Sequence, residues 1–133
     1  MDLLQPLAHV EAYLLLDGKK YELEKFNTKF DQPVDYKGQP QHEIKGGSIA
    51  LTLTQAADQN LYMWAKKSTM TKDGVILFQT DLGMTVLEIA FQKAYCITLT
   101  RDINVLTGTT TGLVISTKVI NINGIEHDNF RKG

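Results

Sequence analysis

Cysteine, proline and long apolar runs are scarce in this sequence of 133 residues. Cys96 is the single cysteine, so no disulfide can form within the chain. The longest apolar run near the start, residues 13–16, is far shorter than the roughly 20 residues of a membrane helix. No basic segment precedes that run, as one would in a secretory signal. We therefore expect synthesis and folding in the cytoplasm, without insertion into a membrane.

An excess of charge of one sign is also missing. The 14 lysines and arginines are balanced by 15 aspartates and glutamates, which leaves a formal net charge of -1. Nucleic-acid-binding proteins usually carry a basic excess, so we expect no nucleic-acid partner. A near-zero net charge causes little self-repulsion and therefore permits self-association. The length and ordinary globular composition predict a single domain over residues 1–133.

Motifs for catalysis and metal binding are absent as well. The stretch Gly46-Gly47-Ser48 lacks the lysine and the spacing of a phosphate-binding loop, and favours a bend in a strand. The three histidines (His9, His42 and His127) lie in different segments, whereas a metal site needs converging ligands. We expect no enzymatic activity, no cofactor and no metal.

The dominant hydrophobic period is two, which predicts strands. They cover residues 9–16, 19–30, 43–54, 75–80, 87–99 and 113–122. Asp17-Gly18 predicts a tight hairpin turn between the first two strands. Turns are predicted at 72–74 and 81–83, a loop at 101–112 and a final hairpin turn at 123–124.

Two finer predictions concern which residues share a face. In the first hairpin, Leu14 should face Tyr21 and Ala12 should face Leu23, and a change of parity then predicts a β-bulge near residues 24–25. In the long fifth strand, six apolar residues of odd number are predicted to share the inner face: Leu87, Ile89, Phe91, Tyr95, Ile97 and Leu99.

One helix is predicted between the third and fourth strands. Its apolar residues recur at helical spacing, with Thr54 or Asp58 as its N-cap. Its structural core is assigned to Leu61, Trp64 and Ala65. The fold class is therefore mainly β: a small antiparallel barrel or sandwich of six to seven strands with one α-helix packed on it.

The segment between the second and third strands breaks all periodicity. It is either a solvated crossover or a protruding arm that docks on another protein, since interfaces are enriched in tyrosine and use charge for register. As an interface loop, it comprises Pro33, Val34, Asp35, Tyr36, Lys37, Gly38, Gln39 and Pro40.

A series of short motifs follows in order through nearly the whole chain. They are residues 16–21 (LDGKKY), 35–40 (DYKGQP), 45–53 (KGGSIALTL), 61–64 (LYMW), 72–76 (KDGVI), 87–95 (LEIAFQKAY), 113–120 (LVISTKVI) and 123–127 (NGIEH). With these motifs the chain resembles the Bacteroidetes branch of the type VI secretion tube proteins, the haemolysin-coregulated protein (Hcp, TssD) family.

The resemblance implies a structural, non-enzymatic protein. Six copies would form a ring, and rings would stack into a tube that carries effector proteins. Sheath, spike and baseplate proteins would be its further partners, and the chain would leave the cell without a signal peptide. The single tube domain would carry an N-terminal extension (1–8), an extended loop (32–42) that contacts the next ring or a neighbouring subunit, and a C-terminal tail (128–133).

Two alternative functions stay open at this stage. A phage-type tail-tube protein would share the assembly and differ in its partners. A lipocalin-like barrel would bind an apolar ligand, but it would need a hollow interior and usually a secretory signal.

Overall fold

The computed structural model describes residues 10–30 and 41–123, and for residue 30 and residues 41–45 it describes the backbone alone. Within these residues the elements are β1 (Glu11–Leu16), β2 (Lys19–Phe30), β3 (Gln41–Leu53), α1 (Gln59–Lys66), β4 (Lys72–Gln79), β5 (Thr85–Asn104) and β6 (Gly108–Asn123). The strands pair antiparallel in the order β1-β2-β3-β6-β5-β4, and β4 pairs with β1 to close a barrel. The predicted mainly β fold with one helix after the third strand is confirmed.

The two ends of the barrel carry different elements. β1, β3 and β5 run toward one end, and β2, β4 and β6 start from it. The β1–β2 turn, the α1 segment and the β5–β6 turn therefore lie at this end, which we call the helix end. The β4–β5 turn lies at the opposite end.

The first hairpin forms as the sequence predicts. Asp17 and Gly18 have φ angles of 52° and 77°, and the tight turn needs a positive φ at both positions. Leu14 pairs with Tyr21, and Ala12 pairs with Leu23. The predicted bulge also appears, because the β2–β3 register shifts between Leu23 and residue 25.

β5 departs from the predicted alternation at Lys93. This residue has a φ of 51°, in the left-handed region, and the parity of the strand changes there. Ala94 and Cys96 consequently face the core, while Tyr95 and Ile97 are 42% and 60% exposed. The prediction that Tyr95 and Ile97 point inward is therefore wrong. The bulge could not be seen in the sequence, because no glycine marks its position.

A second irregularity restores the original parity a few residues later. The β5–β6 register shifts between Cys96 and Thr98, and Leu99 packs against the core again. The first bulge is held from outside the strand, because the Lys93 N–H donates to Asp73 Oδ1 at 2.9 Å. Such a contact joins distant segments and has no local sequence signature.

The turn predicted at residues 72–74 is wrong, because β4 already begins at Lys72. Gly74 pairs with Leu16 and Phe91 inside the sheet. A Cβ atom at Gly74 would lie 2.5 Å from Cζ of the Phe91 ring. Glycine stands here because an aromatic ring covers the strand closely.

The loop predicted at residues 101–112 is also wrong. β5 continues to Asn104 and β6 starts at Gly108, so a β-hairpin extends beyond the rest of the barrel. Asp102 pairs with Thr110, and Asn104 pairs with Gly108. The threonines that suggested a polar loop are good strand formers.

Buried apolar side chains occupy the barrel interior. Seventeen of the described residues form this core, two of them on α1. They are Leu14, Leu16, Tyr21, Leu23, Ile49, Leu51, Leu53, Leu61, Trp64, Ile76, Ile89, Phe91, Ala94, Cys96, Leu113, Ile115 and Ile120. A filled interior disfavours the lipocalin-like alternative, which needs space for a ligand. Across the described ranges, no helix is both long and apolar enough to cross a membrane.

Candidate assembly surfaces

The predicted interface loop, residues 33–40, lies outside the described residues, as do the extension 1–8 and the tail 128–133. The predicted helix core lies within them. Leu61 and Trp64 have no exposed surface, and Ala65 is half-buried against the core. The Trp64 indole N–H also donates to the Ala94 carbonyl oxygen at 3.0 Å. These residues therefore attach the helix to β5.

The start of the helix is fixed by Asp58, so the choice between Thr54 and Asp58 as N-cap falls to Asp58. Its carboxylate accepts hydrogen bonds from the Leu61 N–H at 3.0 Å, the Tyr21 hydroxyl at 2.7 Å and Lys19 Nζ at 3.3 Å. Burial alone would raise the pKa of Asp58, but these bonds outweigh it and hold the pKa below its ordinary value. Burial and the bond to Asp58 raise the pKa of Tyr21 to about 12, so this hydroxyl stays a donor.

A second aspartate joins three segments at the helix end. Asp17 in the β1–β2 turn accepts a hydrogen bond from the Asn60 side chain at 2.8 Å. It also pairs with the ammonium group of Lys72 at the start of β4. The bond from Lys72, followed by the bond from Asn60, lowers the pKa of Asp17. The turn, the helix and β4 are thereby held together.

The barrel wall is uneven, because β1 and β4 are much shorter than their neighbours. β4 pairs with β5 no further than Ala94, so residues 95–104 of β5 have β6 on one side and, within the described chain, no strand on the other. β1 pairs with β2 no further than Leu23. Residues 24–30 of β2 therefore also lack a second strand partner among the described residues. We call these segments the free β5 edge and the free β2 edge.

The two free edges lie on opposite sides of one sheet. β2, β3, β6 and β5 form four consecutive strands, and β2 and β5 are the outer two. They run in opposite directions, because β5 runs toward the helix end and β2 runs away from it. An unpaired edge exposes backbone donors and acceptors that favour pairing with another strand. Within the described part of the chain, each subunit thus offers two edges that run in opposite directions.

The outer face of this four-stranded sheet carries mostly short, neutral side chains. Three rows cross it, and each row takes one residue in turn from β2, β3, β6 and β5. The rows are Lys25, Thr52, Gly112, Thr100; then Asn27, Ala50, Val114, Thr98; then Lys29, Ser48, Ser116, Tyr95. The two charges, both positive, lie beside the free β2 edge.

The tip of the β5–β6 hairpin is apolar and exposed, and sequence reasoning missed it. Ile103, Val105 and Leu106 are 66%, 93% and 89% exposed. We call these three residues the apolar tip. Their signal in the sequence is three aliphatic residues inside a segment otherwise rich in Thr, Asn and Gly. Exposed aliphatic side chains that lie close together make this tip a candidate contact site.

A recess of about 420 Å³ opens in the barrel wall where β1 begins. Apolar side chains of three strands line it, among them Ala12, Leu23, Phe26 and Phe78. The rings of Phe26 and Phe78 meet edge to face, with centroids 5.2 Å apart. Four charged residues also belong to its lining: Glu11, Glu22, Glu24 and Lys25. The recess adjoins the start of the free β2 edge.

Two further kinds of site, a metal centre and a reactive cysteine, find little support among the described residues. Among the side chains that the structure describes, those of residues 10–29 and 46–123, no three of His, Cys, Asp or Glu converge as metal ligands would. Cys96 is buried, and burial raises the pKa of its thiol to about 11. A protonated, buried thiol is a weak nucleophile.

The structure defines the class of fold: a small closed barrel of six antiparallel strands with one packed helix. Comparison of the sequence with protein families then identifies the family. The model of the haemolysin-coregulated protein Hcp (TssD) matches residues 8–130. The chain belongs to this family, as its motifs predicted. No curated protein matches the sequence.

Solved structures share the fold. Hcp1 from Flavobacterium johnsoniae is 24% identical, with a TM-score of 0.71 over 86% of this chain and 95% of that chain. Hcp1 from Salmonella typhimurium is 11% identical, with a TM-score of 0.63 over 84% and 86% of the two chains. A chain of the PVC sheath-tube complex, an extracellular contractile injection system, is 12% identical, with a TM-score of 0.60 over 85% and 88%.

Proposed function

We propose that this protein is a structural subunit of the inner tube of a type VI secretion system, and that six copies close into a ring. Membership of the Hcp family and the shared fold of a sheath-tube complex support the tube assignment. The observation that carries the ring is the pair of free edges on opposite sides of one sheet.

Rotation about a common axis brings the free β5 edge of one copy beside the free β2 edge of the next. Because the two strands run in opposite directions, the new pair is antiparallel, like every pair inside the subunit. The contact joins two different surfaces, and such heterologous contacts form closed rings when the rotation closes. A closed ring also removes the edges that would otherwise cause aggregation.

Charge supports this pairing of edges. On the outer face, β5 continues beyond Thr100 to Asp102, which is exposed. The free β2 edge carries Lys25 and Lys29 on the corresponding face. Opposite charges on adjacent strands favour one register over its alternatives.

The core, β1, β4 and α1 are the bulky side of the subunit, and a ring has more room at its outer side than at its inner side. The outer face of the four-stranded sheet would therefore line the lumen. Short side chains there would give effector proteins a smooth passage. Stacked rings would form the tube, with residues 33–40 as the arm that contacts the next ring or a neighbouring subunit. Sheath, spike and baseplate proteins would be the further partners, and the assembled tube would carry the subunit out of the cell.

The first test is the mass of the purified protein by light scattering, with negative-stain electron microscopy. Six copies of 14.9 kDa give a ring of about 89 kDa with an open centre. A protein that stays monomeric at every concentration, alone and with its sheath and spike proteins, contradicts the proposal.

Proline variants test the edge itself. Successive residues of a strand direct their N–H groups to opposite sides, so Arg101→Pro and Asp102→Pro affect different partners. In one variant, the lost N–H is the one that donated to β6, and this variant should have a lower free energy of unfolding. The other should keep the stability of the monomer and lose the ring. Rings of normal mass in both variants would show that the β5 edge is not the contact.

A phage-type tail tube would assemble by the same edges. The partners distinguish the two: co-purification with type VI sheath and spike proteins supports the proposal, and a tube that recruits only phage tail proteins supports the alternative.

A further inference from the structure

We propose that the apolar tip of one subunit fills the recess of the neighbouring subunit in the ring. The inference rests on the proposed function, because it specifies a second contact within the same subunit interface. The occupant of the recess is therefore a second copy of this chain.

The position of the two features supports this assignment. The free β5 edge leads directly into the apolar tip, since β5 ends at Asn104 and the turn follows. The free β2 edge begins at the recess, where β1 ceases to cover β2 beyond Leu23. The rows across the sheet place Thr100 of β5 level with Lys25 of β2. When β5 of one copy pairs along β2 of the next at this level, its residues beyond Thr100 pass the N-terminal end of that copy's β1, where the recess opens.

The chemistry of the two features also matches. Val105 and Leu106 are almost fully exposed and have no polar atom in their side chains. The recess presents the partly buried rings of Phe26 and Phe78, and it is large enough for two aliphatic side chains. Transfer of apolar surface from water into such a recess is favourable for both partners.

Charge at the rim selects the orientation. Glu11, Glu22, Glu24 and Lys25 belong to the lining of the recess, so its charge is net negative, and Arg101 precedes the apolar tip on β5. Arg101 lies over the Tyr62 ring and donates to its hydroxyl, which holds the guanidinium at the base of the hairpin. A cation near an apolar anchor fits a recess whose lining is partly apolar and carries a net negative charge.

Cross-linking between copies is the direct test. The background is Cys96→Ala, which removes the one native thiol. Ala12→Cys and Leu106→Cys are introduced on separate copies, and the two proteins are mixed, allowed to form rings and oxidised. We expect a disulfide-linked dimer from the mixture, and no comparable dimer when Leu106→Cys is replaced by Leu82→Cys. Leu82 is 84% exposed at the opposite end of the barrel.

A pair of double variants measures the energetic role of the contact. Val105→Ser with Leu106→Ser should raise the concentration needed for ring assembly about tenfold or more, as loss of an anchor residue does. The control is Leu82→Ser with Met84→Ser, which removes exposed apolar side chains from the opposite end and should leave assembly unchanged.

The outcomes separate this inference from the proposed function. Rings that form in both double variants, with no cross-link in the mixture, overturn the inference and leave the ring standing. A parent protein that forms no ring contradicts the proposed function itself. A dimer from Leu106→Cys alone, as strong as the mixed product, would mean that tip meets tip and would also overturn the inference.

Discussion

At the residue scale, Trp64 contributes more to stability than its position on an eight-residue helix suggests. The helix is too short to be stable alone, so it depends on tertiary contacts. Trp64 supplies both a buried ring and a hydrogen bond to Ala94 on β5. The helix and the long strand are therefore coupled through one side chain.

Trp64→Ala should lower the free energy of unfolding by about 3–5 kcal/mol, because it removes a large buried aromatic side chain. Tyr62→Ala is the matched control on the same helix, since Tyr62 is 36% exposed, and it should cost much less. Urea denaturation of both variants measures the difference. Equal losses would show that burial of Trp64 does not hold the helix.

The second residue-scale prediction concerns pH. The pKa values of Asp17 and Asp58 are lowered in the folded protein, so their stabilising effect is full above the unfolded pKa of about 3.9. It is lost as the pH falls through the folded values. Asp17→Asn should keep the turn, because asparagine also tolerates a positive φ. It should remove the salt bridge with Lys72.

Asp17→Asn is therefore expected to be less stable than the parent at pH 7 and to lose less stability between pH 5 and pH 2. Urea midpoints across this range measure both effects. A variant that follows the pH profile of the parent would mean that Asp17 does not contribute to acid unfolding.

At the element scale, β5 carries a large part of the surface that we propose for contacts with other subunits. Its bulge at Lys93 turns Tyr95 and Ile97 outward, and its length beyond Ala94 creates the free β5 edge. The bulge holds a non-glycine residue in the left-handed region, which costs about 1–2 kcal/mol.

Lys93→Gly should therefore raise the free energy of unfolding by about 1 kcal/mol, because relief of this strain exceeds the entropy cost of glycine. Lys118→Gly is the control: this exposed lysine lies in β6 with an ordinary φ, so glycine should destabilise there. Relative to the parent, the denaturation midpoint should rise in Lys93→Gly and fall in Lys118→Gly. A loss of stability in both variants would contradict the strain at Lys93.

The same elements show how far sequence reasoning reaches. The first hairpin and the bulge in β2 were predictable from the local pattern of apolar residues. For the N-cap, the sequence left two candidates, Thr54 and Asp58, and the structure selects Asp58. The inward turn of Ala94 and Cys96 was not, since the bulge at Lys93 is held by Asp73, twenty positions away. The apolar tip was missed for a different reason: the threonines around it suit both a loop and a strand, and only pairing across the hairpin decides between the two.

At the scale of the whole molecule, closure of a ring should stabilise the fold as well as position it. Partners that bind only the folded state raise its apparent stability by mass action. The melting temperature of the parent should therefore rise with protein concentration, and that of the proline variant that loses the ring should not. Differential scanning fluorimetry over a hundredfold range of concentration measures this. A melting temperature independent of concentration in the parent would contradict assembly by folded subunits.

The unlike ends of the barrel give any such assembly a polarity. In the proposed ring, contacts between different edges would keep all six subunits in the same orientation, so one face of the ring would display the α1 segment and the other would display the β4–β5 turn with Leu82 and Met84. Rings that stack through unlike faces all point the same way. The two extremities of a finished tube are then chemically distinct, and growth can be started at one and stopped at the other by proteins that never compete for the same surface.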